Sequence, residues 1–174
     1  ARRGALSPLV RFVHGDAESL PFGRGTFDAV LCECSLCTFP DKPRALAEMR
    51  RVLRGRGTVM ISDVIAVMAE LPAPLRGAAG QVACVGDARD SDGYAALLNG
   101  SGFDLVAHER HDGELVRMLD RVQARVRVAR MTGLGRMQGL SGAFDVALDL
   151  LELARDSALG GLLGYGVFVA RARS

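Results

Sequence analysis

An α/β fold with an open, mostly parallel sheet is what this sequence predicts, and three observations carry the prediction. Short apolar runs alternate with stretches of helical periodicity, the pattern of strands joined by crossover helices. The chain of 174 residues is 49% apolar and 24% charged with a net charge of +2, enough apolar material for a core and too little charge for disorder. Third, Phe27-Asp28-Ala29-Val30-Leu31-Cys32 is a nearly continuous apolar run, the mark of a strand buried on both faces of a parallel sheet. At this length a single domain is expected.

The elements follow in chain order. Residues 1–8 are polar and without periodicity, and Leu9-Val10-Arg11-Phe12-Val13 reads as a strand that stops at His14-Gly15-Asp16. Ala17 to Thr26, with Pro21 and two glycines, holds a short helix or turn at most before the strand at 27–32. From Asp41 to Leu53 the period becomes helical: Pro43 suits a first turn, and Leu46, Met49, Val52 and Leu53 share a face. Gly55-Arg56-Gly57 breaks that helix, and Thr58 to Asp63 is the next strand. Residues 70–86 are weakly helical around two prolines. Asp90 or Ser91 caps a helix through Tyr94, Leu97 and Leu98, and Phe103 to His108 is a fourth strand. Asp112 caps a helix with an apolar stripe to Met131; 133–142 is a break, a second helix spans Ala143 to Ala158, and Tyr165 to Ala170 is the last strand.

Composition excludes several classes. No apolar run approaches the roughly 20 residues that span a bilayer, and no signal peptide opens the sequence. The expectation is therefore a cytoplasmic protein that uses neither a membrane nor nucleic acid as partner. Lys42 is the one lysine among 22 basic residues, which suggests a bacterial genome rich in arginine codons rather than a nucleic-acid face, since interleaved aromatics are lacking. Four cysteines are too few for a secreted disulfide framework.

In open α/β sheets, ligands bind beyond the carboxyl ends of the strands. Gly15-Asp16-Ala17, Cys32-Glu33-Cys34 and Ser62-Asp63 stand at such ends. An Asp followed by small residues accepts from an exocyclic amine while a neighbouring amide donates to a ring nitrogen, a combination that reads an adenine edge. The stretches "GDAESLPF", "FDAVLCECSLCTF" and "ALAEMRRVLRGRGTVMISD", in this order, resemble the middle of class I S-adenosylmethionine-dependent methyltransferases, most closely the small-molecule, ubiquinone-biosynthesis-type group. The resemblance covers residues 9–64 and continues more weakly through "DSDGYAALLNGSGFDLV".

What the resemblance implies is a Rossmann-like methyltransferase sheet with an antiparallel last strand, S-adenosyl-L-methionine as cofactor, and methyl transfer to a small-molecule nucleophile. Asp16 matches the acidic residue that meets the adenine amino group, with Ala17 beside it. Cys32 ends the strand whose backbone borders the methionine arm. The family's strand followed by Gly-x-Gly-x-Gly is missing ahead of Asp16, so residues 1–174 read as a partial methyltransferase domain lacking its first strands. "GLGRMQG" at 133–139 follows a helix and is a poor substitute. A non-catalytic or truncated scaffold or partner subunit is the rival reading, and a homodimer is a possible assembly.

Two further features belong to the site. Glu33 follows the strand beside the methyl-transfer position, where a general base takes a proton from the nucleophile. Cys32, Cys34 and Cys37 invite a metalloid (arsenite-type) methyltransferase or a metal site, with Cys84 or a histidine as fourth ligand. Alternation along a strand points Cys32 away from its neighbours, so we expect no metal and assign Cys34 and Cys37 to the substrate pocket. His108 and His111 fall at a strand end and loop, one residue short of a zinc-protease spacing. Residues 112–163 form a helical insert before the last strand, and we expect its two helices to shape the acceptor pocket.

Overall fold

A computed structural model describes residues 9–77, 80, 85–132 and 141–173. The expectations placed on residues 1–8, on Cys84 and on the glycine-rich 133–139 stretch lie outside the described residues. Four strands form one sheet: β1 (Phe27–Glu33), β2 (Leu53–Ala66), β3 (Phe103–Arg110) and β4 (Leu163–Ala172), in the spatial order β1-β2-β4-β3. β1 and β2 are parallel, whereas β4 runs antiparallel to both of its neighbours. Inserting the last strand, reversed, between two parallel ones gives three strands one direction and the fourth the other.

The helices are α1 (Lys42–Val52), α2 (Ala73–Arg76), α3 (Ser91–Gly100), α4 (Asp112–Met131) and α5 (Ser141–Leu159). Asp41 caps α1 by accepting from the Arg44 amide at 2.9 Å, and Pro43 sits in the first turn. Asp90 caps α3 through the Gly93 amide at 2.7 Å. The cap expected from Asp112 is not made: His111 occupies that position without a side-chain bond, and Asp112 turns back to accept from the Tyr165 amide at 3.2 Å. A Cβ on Gly164 would lie 2.3 Å from the same carboxylate, so that glycine is what lets Asp112 dock on β4.

The pleat of β2 separates two cores. Val59, Ile61 and Ile65 face α1 and α3 and pack with Leu46, Tyr94, Phe103 and Phe168. Val64 and Ala66 face the other way, against Leu115 and Leu119 of α4, Ala154 and Ala158 of α5, and Leu163. Two strands differ from expectation. Leu9 to Val13 is not a strand, and Leu9 and Phe12 are 80% and 94% exposed. β1 is an edge strand rather than a buried one: Ala29 and Leu31 are exposed, because α4 and α5 cover only the carboxyl-end half of their face. β2 also begins earlier, at Leu53. The glycine-flanked break is absorbed as an irregularity between Phe27 and Ala29 in the β1 pairing, with Arg56 at φ 61°.

Candidate functional site

Residues 9–26 pair with no strand of the described sheet, yet α1 holds them. Arg51 donates to the carbonyls of Phe22 at 2.7 Å and Leu20 at 2.9 Å, and Arg44 donates to that of Glu18 at 2.9 Å. Glu48 accepts from the Leu20 amide at 2.8 Å, and Arg51 beside it holds its carboxyl below the usual range. These bonds fix the turn that carries Asp16. Its Oδ1 accepts from the Glu18 amide at 2.9 Å, an Asx-type turn, and the residue stays exposed at the carboxyl end of the sheet. Gly15 is required there, since a Cβ would meet Pro21 Cδ at 2.7 Å.

Past β1, the chain turns at Cys34 with a left-handed φ of 47°, and its amide donates to the Ser62 carbonyl at 2.7 Å. Glu33 is exposed and registers opposite Ser62. Because β4 is antiparallel, its first residues reach this same end, and Tyr165 registers opposite Val64. The Cys34 thiol lies 3.8 Å from the Tyr165 phenol oxygen. Glu33, Cys34, Ser62 and Tyr165 are thus brought together.

The remaining site cysteines are elsewhere. Cys32 is buried on the α1 face, 3.2 Å from the Ser35 hydroxyl, and burial pushes its thiol up. Cys37 is 2% exposed, and its amide donates to Asp63 Oδ2 at 2.8 Å. The structure therefore places Cys34 at the site surface and Cys37 in the core beneath it. Among the described residues no three His, Cys, Asp or Glu side chains gather as a metal would require. Replacing Cys32, Cys34 and Cys37 with Ala should leave zinc at background by atomic absorption; stoichiometric zinc lost on mutation would contradict this.

Tyr165 is the residue at this end of the sheet that the sequence did not single out; Asp63, named there only as part of a strand end, is buried and accepts from the Cys37 and Val64 amides. Tyr165 read only as the start of a strand, and nothing in the sequence announced the register that brings it to Cys34. Burial pushes its phenol up to about 12, opposed by a hydrogen bond from Ser62 and assisted by Cys34 and Glu33. Tyr94, donating to the Val64 carbonyl at 3.2 Å, is pushed up further by burial and by Asp63. The chain has two tyrosines. An absorbance titration should therefore show almost no tyrosinate at pH 10. The unfolded phenols ionise near 10. The stability contributed by keeping Tyr165 neutral is intact below that pH and falls as pH rises toward about 12. A full one-tyrosine step centred at 10 in the folded chain would refute the assignment.

This sheet order, with its reversed last strand, is an open mixed α/β sheet close to that of class I methyltransferases. Residues 1–61 match the family model described as a methyltransferase domain. The chain is 48% identical over 58 residues to a phthiotriol/phenolphthiotriol dimycocerosates methyltransferase of Mycobacterium leprae, covering 33% of this chain and 21% of that protein. It is 38% identical over 81 residues to the demethylmenaquinone methyltransferase of Deinococcus radiodurans, 47% of this chain and 31% of that one. It thus spans less than a third of the length of these relatives. Among solved structures, a Galdieria sulphuraria protein assigned as a sarcosine dimethylglycine methyltransferase superposes with a TM-score of 0.79 at 19% identity, covering 97% of this chain and 61% of that one. The [4+2]-cyclase SpnF superposes at 0.74 and 21% identity, covering 97% and 57%. The sequence resemblance is to methyltransferases; the fold alone does not fix the reaction.

Among the described residues no helix is long and apolar enough to cross a membrane.

Proposed function

We propose that this chain serves S-adenosylmethionine-dependent methyl transfer to a nucleophilic atom of a small molecule. The observation that supports the reading is the meeting of Glu33, Ser62 and Tyr165 at the carboxyl end of the parallel strands, with the turn that carries Asp16 tied through Glu18 to the start of α1. The residues fit the adenine end of the cofactor. Asp16 is exposed, is held in one orientation by its own turn, and accepts from an exocyclic amine, with the Ala17 amide beside it. The backbone at Cys32 borders the methionine arm. When bound, the cofactor supplies an electrophilic methyl group.

The chain's own residues then orient and deprotonate. Glu33 takes the proton that the acceptor atom loses as its new bond to carbon forms. Tyr165, still protonated at neutral pH, donates a hydrogen bond to the acceptor's polar head, and Cys34 lines the pocket beside it. Alignment supplies most of the acceleration in such a displacement, so no larger acid–base apparatus is needed.

The test is a fusion of this chain behind the strand and Gly-x-Gly-x-Gly turn that the resembled family carries. The fusion should bind S-adenosylmethionine, and Asp16→Ala should weaken binding about tenfold or more, the loss of a hydrogen bond to a charged group, about 1.5–3 kcal/mol. A folded fusion that binds the cofactor equally with and without Asp16 would remove the adenine assignment. One that binds none would favour the scaffold reading.

A further inference from the structure

Behind Tyr165 lies a feature the methyl-transfer reading does not explain. α4 and α5 lie against each other and over the carboxyl-end half of one sheet face, and they do not close on it. Between them and the sheet is a cavity of about 440 Å³, bounded by Val64, Leu115, Leu119, Val122, Leu150 and Leu163 among others. Every described lining residue is Val, Leu, Met or Ala. Well-packed interiors contain few voids larger than a water molecule, and an apolar void of about 150 Å³ already stays dry and takes up benzene. This one is about three times that size and falls within the range of ligand pockets, roughly 300–1,000 Å³.

Two details say what fits. Met118 and Val122 on the rim are 45% and 36% exposed, so the cavity opens to solvent between the two helices instead of being sealed. Among the described residues the lining has no aromatic side chain and offers no face on which a planar ring could stack. Methylene groups, which need only contact area, are what such a wall favours. The polar end is equally defined. Leu163 lines the cavity, and Tyr165 is two residues along the same face of β4, opposite the cavity residue Val64 and packed against the same apolar cluster. Asp112 and His111 fasten the start of α4 to the Tyr165 backbone, so the phenol and the first turn of the cavity wall are set as one unit.

We infer that the cavity between α4 and α5 binds a flexible aliphatic chain of the methyl acceptor, leaving its polar, reacting head at Tyr165 and Glu33. The assignment of the chain's bearer as methyl acceptor rests on the function proposed above; the aliphatic site itself does not. It makes substrate choice a property of α4 and α5, and acceptors without such a chain leave the cavity wall wet.

Calorimetric titration of the chain with 1-alkanols from hexan-1-ol to dodecan-1-ol tests the site directly. Affinity should climb with length, by up to about fourfold per added methylene, the gain from moving one CH2 out of water. Ala147→Phe, which fills part of the cavity from α5, should lower dodecan-1-ol affinity at least tenfold with the far-ultraviolet circular dichroism unchanged. If that variant does not fold, the length series in the unaltered chain still decides. Affinity that does not grow with chain length overturns the inference, as does dodecan-1-ol binding that survives in a folded Ala147→Phe. A dimer in sedimentation that dodecan-1-ol leaves intact overturns it too, because a second copy would then be the occupant. Alkanol binding by a chain whose fusion fails to bind S-adenosylmethionine upholds the aliphatic site and rejects the methyl-transfer reading. The reverse pattern does the opposite.

Discussion

Replacing Asp63 with Ala should destabilise the chain by about 3 kcal/mol, since a buried polar group that loses its partner costs about 1–3 kcal/mol and two such groups are involved. Asp63 is fully buried in β2, on the face covered by α1 and α3. Its Oδ2 accepts from the Cys37 amide at 2.8 Å and its Oδ1 from the Val64 amide at 2.9 Å. One carboxylate thereby ties the turn after β1, which carries Cys34, to the strand that carries Ser62. Alanine removes the acceptor that both amides use and opens a gap under the site. Against a total stability of about 5–15 kcal/mol, that loss shows as a large shift of the urea midpoint. Asp63→Asn, with one carbonyl oxygen left to accept, should lose about half as much. The same substitutions should ease Tyr94 ionisation, because Asp63 opposes a negative charge there. A loss below 1 kcal/mol for the alanine variant would show that the turn holds itself.

The elements that carry their own punctuation were legible in the sequence. α1 was announced by Asp41, Pro43 and an apolar stripe, α3 by Asp90, and α4 and α5 by periodicity, and each lies within two residues of its expected bounds at most ends. What failed was whatever depended on a neighbour. Leu9 to Val13 has the composition of a strand but no strand of the described sheet pairs with it, and an apolar run without a partner has no ladder to join. The run at 27–32 was read as doubly buried because apolar composition cannot tell a central strand from an edge whose cover is partial. Within the site, Glu33 was singled out because it ends β1, and Asp16 because its stretch resembles the family's motif, although the run before it forms no strand. Tyr165 and Asp63 act through register and burial, and their partners are 131 and 26 residues away in sequence. No local pattern encodes such distances.

The 174-residue chain by itself should bind S-adenosylmethionine no more tightly than about 1 mM, which is a standard free energy of about −4.1 kcal/mol. In the function proposed above, the described residues offer the cofactor one charge-assisted contact, Asp16, worth about 1.5–3 kcal/mol, against a cost of association of about 4–15 kcal/mol. The rest of the cofactor is a flexible methionine arm and a ribose, which need a backbone able to approach closely and present its amides, as a glycine-rich turn at a helix amino terminus does. No described strand ends in such a turn: β1 leads to Cys34-Ser35, β2 to Val67-Met68 and β3 to His111-Asp112. Asp16→Ala should accordingly leave the chain's titration almost unchanged, in contrast to its effect in the fusion. Calorimetry decides the point. Saturation at low-micromolar cofactor would mean that the exposed ends of β1 and β2 already form a sufficient cradle, and the weight placed on the glycine-rich turn would be misplaced.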